Sequence, residues 1–222
     1  VITTRLVGGE FYMDKTKLQE AVTKAFESKG KRKFAQSVEL IVNFRGIDFT
    51  KPENRLNLDV ALPKGKGGKE PKIALVAEES IVNLAKKANP ELVILPAEIA
   101  SYADRSKLKM LADEYALLSQ PNLMGQIAKS LGQYLGPRGK LPRPITGNVV
   151  ELINRARCSV RISSKGKYLP VAQAFVGTEN MPPEEVVENI EAVYDAIKAK
   201  VVESNIKSVY VKMTMGSAVR VF

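Results

Sequence analysis

"LNLDVALPKGKGGKEPKIALVA", residues 56–77, changes texture twice within one short stretch. In its first part Leu56, Leu58, Val60 and Leu62 alternate with Asn57, Asp59 and Ala61, the period of a strand with one buried face. In its last part Ile73 to Ala77 is apolar without interruption, as in a strand covered on both faces. Between them KGKGGKEPK (64–72) carries three glycines, one proline and four lysines. It suits neither helix nor strand and reads as a flexible linker at a domain boundary. The Gly-x-x-x-x-Gly-Lys-Ser/Thr spacing of a nucleotide loop is missing.

On the N-terminal side of this junction the alternating texture continues. In FAQSVELIVNF (34–44), Phe34, Val38, Leu40, Val42 and Phe44 share one face, and this strand is expected to pair with residues 55–63. DKTKLQEAVTKAFESK (14–29) places Leu18, Ala21, Val22, Ala25 and Phe26 on one side of a helix. On the C-terminal side, ELVILP (91–96) and YALLS (115–119) repeat the doubly covered pattern and alternate with helical stretches at 79–89, 104–114 and 122–135. That order predicts a parallel, Rossmann-like sheet over residues 66–155. It has no Gly-x-Gly-x-x-Gly fingerprint for a dinucleotide. From residue 157 the first texture returns. SVRISS (159–164) and YLPVAQAFVG (168–177) read as a hairpin. MPPEEVVENIEAVYDAIKAKV (181–201) is a helix with Pro182, Pro183, Glu184 and Glu185 at its start and Lys198 and Lys200 at its end. SVYVKMTMGSAVRVF (208–222) is strand-like. The predicted fold class is α+β, a discontinuous two-domain protein. Residues 1–65 and 156–222 form the terminal α+β domain, and residues 66–155 form an inserted Rossmann-like α/β domain.

Composition narrows the chemistry. Lys and Arg outnumber Asp and Glu 34 to 24, a net charge of +10 that points to a polyanionic partner. Histidine is absent, which removes the commonest general base and metal ligand. Cys158 is the one cysteine, so no disulfide framework or cysteine-rich zinc site is expected, and a reducing, cytoplasmic compartment fits. The opening VITTRLVGGE has no signal-peptide core, and no apolar run has the length of a membrane span. Glu78-Glu79 and Glu184-Glu185 read as charges at helix starts, while Asp48, Asp59 and Asp104 are scattered. No catalytic residue, metal site or cofactor is expected.

Two short stretches favour nucleic acid. KRKF (31–34) sets three cations beside an aromatic ring, and TMGS (214–217) sets a hydroxyl, a thioether and a glycine within a strand-like segment. Small polar groups beside apolar surface suit a ribose edge and its 2′-hydroxyl. The alternative is that Thr214-Met215-Gly216 is a β-bulge and Phe34 a core residue. A third stretch, LGPRGKLPRP (135–144), combines three prolines, each fixing φ, with Arg138, Lys140 and Arg143. It is either a stiff helix exit with solvated charges or a preset second RNA surface.

LMGQIAKSLGQYLGPRGKLPRP (123–144), SVYVKMTMGS (208–217) and KFAQSVELIVNFRGIDFTKPENRLNLDVALPKG (33–65) together resemble the family of the large-subunit ribosomal stalk protein, the first in the numbered large-subunit series, in its archaeal branch. The resemblance runs in order over nearly the whole chain. It implies an RNA-binding domain made from both termini around a Rossmann-like insert, with large-subunit rRNA as partner. It further implies a mobile stalk beside the exit site that contacts departing deacylated tRNA, and repression of translation through the protein's own mRNA. The protein is then a cytoplasmic, ribosomal, non-enzymatic chain without cofactors, monomeric off the ribosome. Carried over by position, the RNA contacts are Lys33, Phe34, Ser37, Glu39, Ser208, Thr214, Met215 and Gly216. Ser217 stands where many relatives have proline. Arg138, Lys140 and Arg143 are the candidate second surface. The rival readings are an RNA-binding repressor that works off the ribosome, and a nucleotide-acting α/β enzyme, for which the Gly-rich loop is lacking.

Overall fold

The computed structural model describes residues 14–68, 70–163 and 169–222. The opening VITTRLVGGE and residues 164 and 168 of the expected hairpin lie outside them. The chain divides into two compact units, Val1–Gly68 with Ser159–Phe222, and Lys69–Cys158.

In the terminal unit, α1 (Lys15–Glu27) starts at Asp14, whose carboxylate accepts from the Thr16 amide at 3.1 Å. The strands are β1 (Ser37–Phe44), β2 (Asn57–Ala61), β7 (Ser159–Ser163), β8 (Val171–Thr178), β9 (Ile206–Met213) and β10 (Ala218–Arg220), with α6 (Pro183–Lys198) between β8 and β9. An antiparallel sheet runs β10-β9-β1-β8. Val38, Leu40 and Val42 on β1 and Val209, Val211 and Met213 on β9 are fully buried. They form one core with Leu18 and Val22 of α1 and Val186, Ile190 and Val193 of α6. Each such burial is worth roughly 1.5–3 kcal/mol, so alternation fixes which sheet face meets the helices.

Two expected pairings are corrected. β1 does not pair with β2, because β8 and β9 occupy both its edges; and β7 and β8 form no hairpin ladder, because β7 pairs with β2, Val60 opposite Val160. Local pattern identifies strands but carries no information about a partner on the far side of an insert. The expected strand also begins later than its pattern: Phe34 is 48% exposed and not a core residue, and β1 starts at Ser37. TMGS lies not inside a strand but in the β9–β10 turn, closed by the Gly216 amide donating to the Met213 carbonyl at 3.1 Å.

The first half of KGKGGKEPK is fastened rather than loose. Buried Asn189 accepts from the Lys64 amide at 3.0 Å and donates to the carbonyls of Gly65 (3.0 Å) and Val176 (2.9 Å). The Thr178 hydroxyl donates to the Gly67 carbonyl. Gly67 has φ +63°, and a Cβ there would stand 2.0 Å from Cγ of Met181, so only glycine fits. These bonds keep residues 64–67 with the terminal unit, and the two units divide after Gly68 and after Cys158.

The inserted unit has four parallel strands, β3 (Lys72–Val76), β4 (Leu92–Ile94), β5 (Tyr115–Ser119) and β6 (Arg143–Pro144), in the order β4-β3-β5-β6. Its helices are α2 (Glu79–Ala85), α3 (Arg105–Glu114), α4 (Met124–Leu135) and α5 (Val149–Cys158). Ala74 and Val76 pack with Leu108, Leu111, Ile127 and Leu131, while Ile73 and Leu75 pack with Ala85 and Ile153. A sheet covered on both faces is what uninterrupted apolar strands require, and the Rossmann-like reading is borne out. Among the described residues no helix is long and apolar enough to cross a membrane.

Candidate nucleic-acid interface

One end of the terminal sheet gathers most of the residues singled out in the sequence. Thr214 and Ser37 clasp each other. The Ser37 amide donates to the Thr214 hydroxyl at 3.0 Å, that hydroxyl donates to the Ser37 carbonyl at 3.3 Å, and the Thr214 amide donates to the same carbonyl at 3.0 Å. The Thr214 hydroxyl is therefore engaged within the protein. Met215, at the tip of the turn, is 59% exposed. Gly216 is needed for closeness: a Cβ there would lie 3.0 Å from Cβ of Met213 and 3.1 Å from Oγ of Ser28, just past the end of α1. Lys33 and Phe34 are exposed in the segment leading into β1.

The residue that ties this corner together is one the sequence reading passed over. Gln36 is completely buried. Its side-chain amide donates to the Lys29 carbonyl at 2.7 Å, its side-chain oxygen accepts from the Met215 amide at 3.0 Å, and its main-chain carbonyl accepts from the Glu179 amide at 2.9 Å. The segment after α1, the β9–β10 turn and the end of β8 are thus joined through one side chain and its backbone. The signal was present: Gln36 occupies an even, core-facing register position where the pattern calls for an apolar residue.

The strand register orders the rest. Ser37, Glu39, Ile41 and Asn43 lie on the face of β1 turned away from α1 and α6. Opposite them on β9 stand Lys212 (against Glu39), Tyr210 (against Ile41) and Ser208 (against Asn43). Ser208 is buried and accepts from the Asn43 side-chain amide at 3.0 Å. It sits six residues from Thr214, about 20 Å along an extended strand, so it belongs to the same face but not to the same corner. Of the eight candidate residues, Ser37, Thr214, Met215 and Gly216 meet at one corner, Lys33 and Phe34 lie in the exposed segment leading into it, and Glu39 and Ser208 stand further along the face.

In the inserted unit, the 135–144 loop is tightly folded. The amides of Gly136, Gly139 and Lys140 donate to the carbonyls of Gly132 (2.8 Å), Gly136 (2.9 Å) and Leu135 (2.9 Å). Arg138 lies over the Tyr134 ring, 3.6 Å from its centre, and donates to the Tyr134 carbonyl at 3.2 Å. Arg143 is half-buried in β6, opposite Leu118, whereas Arg138 and Lys140 are exposed. Among the described residues no group of three His, Cys, Asp or Glu side chains could hold a metal ion.

A split α+β unit carrying an inserted, doubly covered parallel sheet defines a discontinuous two-domain protein. Residues 23–217 match the model of the Ribosomal protein L1p/L10e family. The chain is 43% identical over 209 residues to the large ribosomal subunit protein uL1 of Thermofilum pendens, covering 92% of each chain. It is 42% identical over 215 residues to uL1 of Pyrococcus abyssi, covering 94% of this chain and 96% of the relative, and 41% identical over 208 residues to uL1 of Methanocella arvoryzae, covering 91% and 96%. The chain belongs to the Ribosomal protein L1p/L10e family, and the archaeal resemblance read from the sequence holds. The family is one of ribosomal proteins, not enzymes, which bears out the non-enzymatic reading.

Proposed function

We propose that this chain is a ribosomal protein that binds large-subunit rRNA through the terminal unit, with the inserted unit as a separate domain. The observation that carries the reading is the corner built on Gln36 and the Thr214–Ser37 clasp. It presents the exposed Met215 thioether, and the segment leading into it leaves Lys33 and the Phe34 ring exposed. A thioether and a phenyl ring can pack against bases and ribose, and Lys33 can meet phosphate. Ser37, Glu39, Ser208, Thr214 and Gly216 contribute shape and main-chain polar groups along the same face. On the ribosome the protein forms the mobile stalk near the exit site and aids release of deacylated tRNA. Arg138, Lys140 and Arg143 of the insert offer a second RNA surface there. Off the ribosome it is a cytoplasmic monomer that binds a similar structure in its own mRNA and represses translation. Filter binding to a large-subunit rRNA helix with an internal loop tests the core of this. Met215→Ala should weaken binding about 5- to 30-fold, the loss of one well-packed contact, with an unchanged melt. Thr214→Val should weaken binding and also lower stability by about 1–2 kcal/mol, because the Ser37 amide loses its acceptor. Unchanged affinity in both would reject this site. Co-sedimentation with large subunits separates the ribosomal role from a repressor acting only off the ribosome.

A further inference from the structure

Between Ser208 and Thr214, the same sheet face carries a row of side chains with no assigned role. Antiparallel pairing places Arg220 of β10, Tyr210 of β9, Ile41 of β1 and Gln173 of β8 directly across from one another. The adjacent row is Ala218, Lys212, Glu39 and Phe175. Directly opposed residues on one face hold their Cβ atoms about 4.5–5.5 Å apart, so the Tyr210 ring has an aliphatic side chain on one flank and a guanidinium on the other. Both helices of the unit pack on the opposite face. Tyr210, Lys212 and Arg220 make no side-chain hydrogen bond or ion pair among the described residues. An aromatic ring on the helix-free sheet face, with Arg220 directly across from it and Lys212 in the next row, is the arrangement that accepts an unstacked base and its phosphates.

We propose that Tyr210 is a stacking platform for one unpaired base of the bound RNA, with Arg220 and Lys212 receiving the flanking phosphates. This rests on the terminal unit being the RNA-binding unit, and charge selects the occupant. The row offers cations and π surface, with the Glu39 carboxylate in the neighbouring row facing Lys212. It also joins the Met215 corner to Ser208, so a strand of RNA in contact with both ends must cross it.

The test uses the full chain and a large-subunit rRNA fragment bearing a helix with an internal loop, with 2-aminopurine substituted in turn at each unpaired position. Tyr210→Ala should weaken binding roughly 5- to 150-fold, the equivalent of one base stack, while Tyr210→Phe should retain the affinity. One 2-aminopurine position should be quenched by the wild type and by Tyr210→Phe but not by Tyr210→Ala, with superimposable thermal melts. Arg220→Gln should reduce the slope of log affinity against log salt by about one phosphate's share, near 0.7–0.9. Met215→Ala is run alongside. If Met215→Ala weakens binding and Tyr210→Ala does not, the platform is wrong and the corner stands. If neither matters, the RNA lies elsewhere and both fall. If Tyr210→Ala abolishes self-association of the free protein and leaves RNA affinity intact, the face belongs to a second copy and the proposal is overturned.

Discussion

Gln36→Ala should loosen the RNA corner and lower stability while leaving the protein folded. The substitution removes two hydrogen bonds, to the Lys29 carbonyl at 2.7 Å and from the Met215 amide at 3.0 Å. Both partners are only partly buried, so water can reach them, and each orphaned group costs at the lower end of about 1–3 kcal/mol. A global loss of about 2–3 kcal/mol follows, including the small space left by the missing amide. The turn itself loses its one side-chain tie at Met215. It keeps the Thr214–Ser37 clasp and the Gly216-to-Met213 bond. Re-ordering the tip on RNA binding should then cost about 1–2 kcal/mol, an affinity loss of roughly 5- to 30-fold. Gln36→Met is the decisive companion. It fills nearly the same volume but makes neither bond, so it should regain part of the stability and none of the affinity. Urea unfolding, RNA titration and amide exchange at Met215 read the three consequences separately. A Gln36→Met protein with wild-type RNA affinity and an unaltered Met215 exchange rate would refute the reasoning, because the turn would then be fixed without Gln36.

Two further outcomes follow from the same structure. The Tyr194 hydroxyl is buried without a hydrogen-bond partner among the described residues, and burial, reinforced by the nearby Glu203 and Asp195 carboxylates, pushes its pKa up from 10.0 to about 12. The fold favours the neutral phenol, so this contribution is fully present below the unfolded pKa of 10 and is lost as pH rises to about 12, at most about 3 kcal/mol. The stability of wild type should therefore fall relative to Tyr194→Phe across that window in urea titrations; parallel curves would show that the phenol ionises normally. Removal of the insert, by joining Gly68 to Ser159 through a short glycine linker, should leave a chain with native circular dichroism. RNA affinity should hold within about tenfold, since every residue of the terminal core lies outside the insert. A folded product that no longer binds would move the main site into the insert.

Sequence alone carried the architecture because burial dictates it. Val38, Leu40 and Val42 must alternate to have one covered face, and Ile73 to Ala77 must be continuous to have two. Pairing partners were less legible. Val60 meets Val160 across the whole insert, and nothing in either strand specifies the other. The candidate site was legible in its residue types but not in its construction. Exposed Met215 and Phe34 stood out as chemistry, whereas Gln36 was hidden because a buried amide looks like an interruption of a strand until its three tied segments are seen together. The stacking of Arg138 on Tyr134 was likewise invisible, since the two are four residues apart across a helix end whose path depends on Gly136 and Gly139.

The claim that the terminal corner is the RNA site meets its most direct test in hydroxyl-radical footprinting of side chains, read by mass spectrometry on the free and rRNA-bound full chain. Met215 and Phe34 are 59% and 48% exposed and should be strongly oxidised in the free protein. On binding both should become protected, with Tyr210 protected alongside them, while Leu84 and Val202, 63% and 69% exposed, should keep their reactivity. Full reactivity of Met215 and Phe34 in the complex, with protection confined to Leu141 and the rest of the 135–144 loop, would contradict the account.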